Sequence, residues 1–257
     1  MKSAFIVRPG GDVAEAASFA QAEGIDGLEL MYHGPSADDF HDAEAKKRIV
    51  DDHGVAIGAV GVWHLGMADP QTAGSEDVIK AAMNFAAVLE ADCIFTGAGE
   101  PESDDPVGAL AEVYPRYAEM AAAGGLKLAV YLGHKGSFIG TEELLADACE
   151  RVDGLGLKLD PIGIIRNLKA DPYDVLYRYG ANTAYFHVKD RLRLTDAEIE
   201  PPPGLGELDW GRLFAILHHH GYDGYVSVEP HGKLWNEPEK RWTYIRLALR
   251  HVGQFMV

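Results

Sequence analysis

Three polar residues each follow directly on a short apolar run, and their types suit a divalent cation. Asp160 follows Leu155 to Leu159, His187 follows Tyr185-Phe186, and Glu229 follows Val226-Ser227-Val228. If these runs are consecutive strands of one parallel sheet, two carboxylates and one imidazole converge from neighbouring strand ends, a donor set for Mn²⁺, Mg²⁺, Co²⁺ or Zn²⁺. Taken singly, each has a plainer use open to it: Asp160 and Glu229 as helix N-caps or ion-pair partners, His187 as a hydrogen-bonded core histidine. The order, three in three successive runs, is what favours a site.

Several other side chains are candidates for contact with a ligand. Lys189, Arg191 and Arg193 continue the period-two spacing from His187, so those still in extended backbone would point the same way and could bind a carboxylate, a phosphate or a hydroxyl-rich molecule. Surface pairing with Asp190 and nearby acids is the alternative. His64 closes the run Ala56 to Trp63 as a substrate-contact candidate, with Trp63 itself expected in the core. His134 follows the run Lys127 to Leu132, as either a catalytic imidazole or the cap of a helix beginning near Thr141. The tract His218-His219-His220 lies at a helix end before Gly221, where positive charge favours the helix dipole. Glu100, Glu102, Asp104 and Asp105 read as a solvated acidic loop.

The elements that must position these groups alternate between β-type and helical patterns. Strand candidates are Ala4 to Arg8, Leu28 to Tyr32, Ala56 to Trp63, Cys93 to Thr96, Lys127 to Leu132, Leu155 to Leu159, Ala184 to Val188 and Tyr225 to Val228. Between them lie helical stripes such as Val78, Ala82, Phe85 and Leu89, or Trp210, Leu213 and Leu217. Gly24-Ile-Asp-Gly27 before one strand and Gly221-Tyr-Asp-Gly224 before another repeat a single helix-to-strand turn near both ends of the chain. Eight such units predict an α/β fold, a (β/α)8 TIM barrel forming a single domain over 1–257, whose active groups project from the C-terminal strand ends. No GxGxxG opens a helix after the first strand, which argues against a dinucleotide-binding sheet. The stretch Arg193 to Leu208, with Pro201-Pro-Pro203 and Gly204-Leu-Gly206, would lie over the barrel mouth.

Composition narrows the partners. The 257 residues are 47% hydrophobic and 25% charged, with mean hydropathy −0.11, an ordinary globular balance. A net charge of −17 argues against a nucleic-acid partner, which needs clustered positive charge. Cys93 and Cys149 form no CxxC, and no run approaches the roughly 18 apolar residues of a membrane span. These features predict a protein of the reducing cytoplasm with no membrane partner; a homo-oligomer is open.

Four phrases resemble the last strands of the xylose-isomerase-like superfamily of sugar isomerases and epimerases: Leu157-Lys-Leu-Asp160-Pro161, Phe186-His187-Val-Lys189-Asp190, Gly204-Leu-Gly-Glu-Leu-Asp209-Trp210 and Gly221-Tyr-Asp-Gly-Tyr-Val-Ser-Val-Glu229. The likeness is dense from Lys127 to His231 and looser elsewhere, as at Gly27-Leu-Glu-Leu30. It implies a TIM barrel, a bound divalent metal and a polyhydroxylated or keto-sugar substrate. It also implies that Asp160, His187 and Glu229 are metal ligands and that Arg193 binds substrate. Two departures stand out. The usual strand-five glutamate ligand falls at Tyr131 or Leu132, and the histidine usual just after the strand-six aspartate is replaced by Gly163. His134 or water could complete the cage, or the metal could be weak or lost.

The expected chemistry is isomerisation or epimerisation of a sugar or keto-sugar by removal of a proton α to a carbonyl, with a cation stabilising the oxyanion. Glu229 serves as ligand and base, with His134 or Tyr131 as its acid/base partner. The same first step serves a lyase or dehydratase acting on an oxidised sugar or keto-glycoside, and a non-catalytic sugar-binding barrel is the third reading. The superfamily's DNA-repair endonucleases match poorly, since they need a fuller metal cluster and a basic face.

Overall fold

The computed structural model describes all residues except 70–74, 234 and 236. Eight parallel strands form the frame: β1 (Lys2–Val7), β2 (Gly27–His33), β3 (Ala56–Gly66), β4 (Cys93–Gly97), β5 (Lys127–Tyr131), β6 (Leu157–Leu159), β7 (Thr183–Val188) and, after a short antiparallel pair β8 (Leu192–Arg193) and β9 (Glu198–Ile199), β10 (Tyr225–Val228). They close in the order β1-β10-β7-β6-β5-β4-β3-β2, so β10 completes the ring against β1. Helices α1 (Val13–Glu23), α2 (Ala43–Asp52), α3 (Ser75–Val88), α4 (Pro106–Ala123) and α5 (Glu142–Arg151) each follow one strand. The single turn α6 (Pro161–Gly163) and α7 (Pro172–Tyr179) follow β6, α8 (Trp210–His219) follows the short hairpin, and α9 (Pro238–Val252) follows β10. The (β/α)8 barrel expected from the alternating pattern is the fold observed.

The repeated turn has the predicted form. Gly24 and Gly221 both adopt left-handed backbone, φ 66° and 67°, a conformation that costs glycine no Cβ clash. Strand bounds differ from the sequence-based ones in two useful places. β3 runs on to Gly66, with His64 left-handed at φ 66°. β6 begins at Leu157 because the Gly156 N–H is taken by the Tyr114 hydroxyl at 2.8 Å.

Alternation sorts side chains into two layers. Leu28, Leu30, Val60, Val62, Leu157, Leu159, Phe186, Val188, Val226 and Val228 belong to the outer core beneath the helices. Ala4, Ile6, Met31, Trp63, Phe95, Tyr131, Tyr185 and Tyr225 fill the barrel itself. The period of two therefore dictates which residues can meet inside. Glu29, Lys158, His187 and Ser227 share the inward parity and are buried.

Candidate functional site

Asp160, His187 and Glu229 meet. Each offers a ligand atom, and these atoms all lie within 4.8 Å of one another. Asp160 directly follows β6 and caps α6, its Oδ1 accepting the Ile162 and Gly163 N–H groups at 3.0 Å each. The cap role and the site role are thus held together, one oxygen for each. His187 is wholly buried inside β7. Its Nδ1 lies 3.0 Å from Glu229 Oε2 and its Nε2 lies 2.8 Å from Glu29 Oε2. Glu29 comes from β2 and also accepts the Ser227 hydroxyl at 2.7 Å.

Two lysines enter the same cluster. Lys189 Nζ is 2.8 Å from Asp160 Oδ2 and 3.0 Å from Glu229 Oε2. Lys158 Nζ is 3.5 Å from Asp160 Oδ2 and sits over the Trp63 ring at 5.0 Å. Burial alone would raise both carboxyl pKa values, but the cations prevail. Lys189 and Lys158 hold Asp160 below the usual carboxylate range. Lys189 and the hydrogen-bonded His187 and His231 hold Glu229 well below it. Burial pulls the His187 imidazole down, yet Glu29 and Glu229 raise it on balance. Lys158, with less compensation, is pushed down by burial.

A cavity of about 610 Å³ opens over this cluster, lined among others by Arg8, His33, His64, His134, Arg166, Lys189, Glu229 and His231. His64 and His134 are therefore brought to the site. Their rings stack at 5.5 Å, and His33 stacks on His64 at 5.1 Å. The left-handed His64 is held by its N–H, which donates to the Tyr131 hydroxyl at 3.0 Å, and that hydroxyl donates to the Lys135 carbonyl at 2.7 Å. Tyr131, not Leu132, takes the inward position at the end of β5, with its pKa raised by burial. His134 does not cap α5, because Thr141 does so with its own hydroxyl. Burial and the neighbouring His64 lower the pKa of His134.

Arg193 is not brought in: its side chain is 65% exposed, lies 3.5 Å from Glu207 and does not line the cavity. Arg191 turns to Glu198 and Glu207 at 3.5 and 3.9 Å. Only Lys189 of that cationic series reaches the cluster, since β7 ends at Val188. The histidine tract serves packing, with His218 Nε2 on the Phe255 carbonyl at 2.8 Å and His220 Nε2 on the Tyr177 carbonyl at 2.9 Å. In the acidic loop, Glu100 accepts the Gly136 N–H and Asp105 caps α4.

Sequence reasoning missed Glu29, Arg166, Glu200 and His231. His231 Nε2 is 2.8 Å from Glu229 Oε1 and its Nδ1 is 3.5 Å from Glu200 Oε2. Those carboxylates raise His231 to about 9, while His231 and Arg166 lower Glu200 to about 2. Arg166 pairs with both Glu198 and Glu200. For Glu29 a signal existed, a lone acid between Leu28 and Leu30 on the inward parity. For Glu200 and Arg166 none did, since long-range loop packing decides their place.

The donor set fits a divalent cation. Tetrahedral bonds of about 2.0–2.2 Å put ligand atoms about 3.3–3.6 Å apart, so ligand atoms within 4.8 Å of one another would draw in by about an ångström around an ion. Glu29 stands behind His187 as the carboxylate that orients a ligating imidazole in many metal sites.

Comparison with known proteins agrees with this fold. A family profile described as xylose isomerase-like TIM barrel matches residues 17–250. Solved structures with the same fold include D-psicose 3-epimerase with D-tagatose from Clostridium cellulolyticum H10, 16% identical with TM-score 0.80 over 100% of this chain and 99% of that one. The apo form of 3-keto-D-glucoside 4-epimerase from E. coli is 18% identical, TM-score 0.74, over 99% of each chain. The IolI protein with a bound zinc atom is 16% identical, TM-score 0.76, over 100% of this chain and 98% of that one. No protein of curated function matches the sequence itself. With the profile spanning nearly all of its eight strands and helices, the chain belongs to the xylose isomerase-like TIM barrel family.

Proposed function

We propose that this protein is a divalent-metal-dependent isomerase or epimerase of a sugar or keto-sugar. The observation that carries the reading is the convergence of Asp160, His187 and Glu229 beneath a cavity of about 610 Å³ into which Arg8, His64, His134, Lys189 and His231 also face. The relatives of like fold that act on psicose and on a keto-glucoside support this substrate class. Asp160, His187 and Glu229 would hold the cation, which when bound supplies a Lewis acid for a developing oxyanion.

The chain's own residues do the rest. Glu229 is ionised at neutral pH and is the base that removes the proton α to the carbonyl. His134, kept neutral by its lowered pKa, can accept the proton of a substrate hydroxyl on its ring lone pair and hand it to the neighbouring oxygen, while protonated Glu229 returns the carbon-bound proton to the adjacent carbon. The Tyr131 hydroxyl is committed to the Lys135 carbonyl, which favours His134 over Tyr131 as this partner. His64 and Lys189 line the same space and would meet substrate oxygens.

The test is turnover of a panel of ketoses, keto-glycosides and their phosphates by chelator-treated protein, with and without Mn²⁺, Co²⁺ or Zn²⁺. The reading expects metal-restored formation of a product of unchanged mass. A product lighter by water or cleaved in two would assign a lyase, and binding without turnover would assign a non-catalytic barrel.

A further inference from the structure

We propose that the Lys189 ammonium is a resident cation of this site, which a divalent metal must displace, so that metal uptake and lysine withdrawal are a single event. The proposal rests on the reading of Asp160, His187 and Glu229 as the cation site. Lys189 Nζ contacts oxygens of two of those three residues, at 2.8 and 3.0 Å. Its side chain is only 11% exposed, so the contact is a buried bridge and not a surface pair. An ion bonded to the same two oxygens would share them with a positive charge, in surroundings that screen poorly.

The cluster is built to survive the exchange. Asp160 keeps its Oδ1 bonds to Ile162 and Gly163 whether or not Lys189 is present. Glu229 keeps its contacts with His187 and His231. Lys158 remains 3.5 Å from Asp160 as a second, more distant cation. Withdrawal also has somewhere to go. Lys189 lines both the large cavity and a smaller one that shares Trp63, His134 and Asn167 with it, and a four-carbon stem can swing its ammonium into that space. The structural consequence is that the loaded site gains a mobile ammonium facing the substrate.

The experiment is calorimetric titration of metal-stripped protein with Mn²⁺ and Zn²⁺, with no substrate present. Lys189→Met should bind at least tenfold more tightly than wild type. Lys189→Arg, which keeps the charge, should bind no more tightly than wild type. Lys127→Met, which removes the same charge beside Asp92 at the far end of β5, should stay within twofold. Equal or weaker binding by Lys189→Met, including no binding by either protein, overturns the proposal.

A second measurement needs no variant: reductive methylation of Lys189, read by peptide mass spectrometry, should rise when saturating Zn²⁺ is added, and a fall or no change overturns the proposal. Solvent-deuterium exchange on ketoses by the wild type separates the two levels. Exchange with no gain in Lys189→Met defeats lysine competition and leaves the isomerase reading standing.

Discussion

Glu29 decides which face of His187 is offered to a cation. By accepting from Nε2 at 2.8 Å it leaves Nδ1 turned toward Glu229. Glu29→Gln keeps an acceptor but removes the charge that raises the basicity of the imidazole, and we expect about tenfold weaker Zn²⁺ binding with the fold retained. Calorimetry beside a circular dichroism spectrum checks this, and unchanged affinity would remove Glu29 from the site. A second prediction concerns His231, raised from 6.5 to about 9 by Glu200 and Glu229. A group whose pKa is raised on folding stabilises fully below its unfolded value and loses that contribution as pH climbs through the folded one. The melting-temperature advantage of wild type over His231→Gln should therefore be largest near pH 6 and vanish by about pH 10; a pH-independent difference would contradict it. His187 and Glu229 were legible because each closes an apolar run. Glu200 and His231 were not, because nothing local to either residue encodes their meeting.

At the scale of elements, the loop after β7 is organised by one buried aspartate. Asp190 accepts the N–H groups of Arg191, Gly204, Glu207 and Leu208 and the Trp210 indole N–H, over 2.8–3.3 Å. Gly206 must lack a side chain, since a Cβ there would come 2.2 Å from Asp190 Oδ1. The phrases Phe186-His187-Val-Lys189-Asp190 and Gly204-Leu-Gly-Glu-Leu-Asp209-Trp210 are thus two halves of one lock, which holds Glu198 and Glu200 over the mouth. Asp190→Ala leaves five donors short of their acceptor and should cost about 3 kcal/mol. It should also open residues 191–208 to proteolysis, checked by urea midpoint and limited digestion; a variant as stable and as resistant as wild type would refute the lock. The strands themselves were readable from period and punctuation. The place where extended backbone stops was not, which is why Arg193 reads as a ligand contact in the sequence but pairs with Glu207 in the fold.

For the whole molecule, the closed ring of strands is what turns separate phrases into a site. Identities of 16–18% accompany TM-scores of 0.74–0.80 over nearly the entire chain, as expected where an inward–outward period and helix-capping turns, more than particular side chains, specify the architecture. Among the described residues no helix is long and apolar enough to cross a membrane. The net charge of −17 coexists with a cavity lined, among the described residues, by Arg8, Arg166 and Lys189 against the single carboxylate Glu229, so this cavity has the opposite charge balance to the chain as a whole. The role proposed for Glu229, removal of a carbon-bound proton, is tested most directly by NMR detection of deuterium incorporated from D₂O at the carbon beside the carbonyl of a ketose. Wild type with Mn²⁺ should exchange that hydrogen, and Glu229→Gln should do so at least about a hundredfold more slowly. Exchange by Glu229→Gln at the wild-type rate, or none by wild type across the ketose panel, would contradict the account.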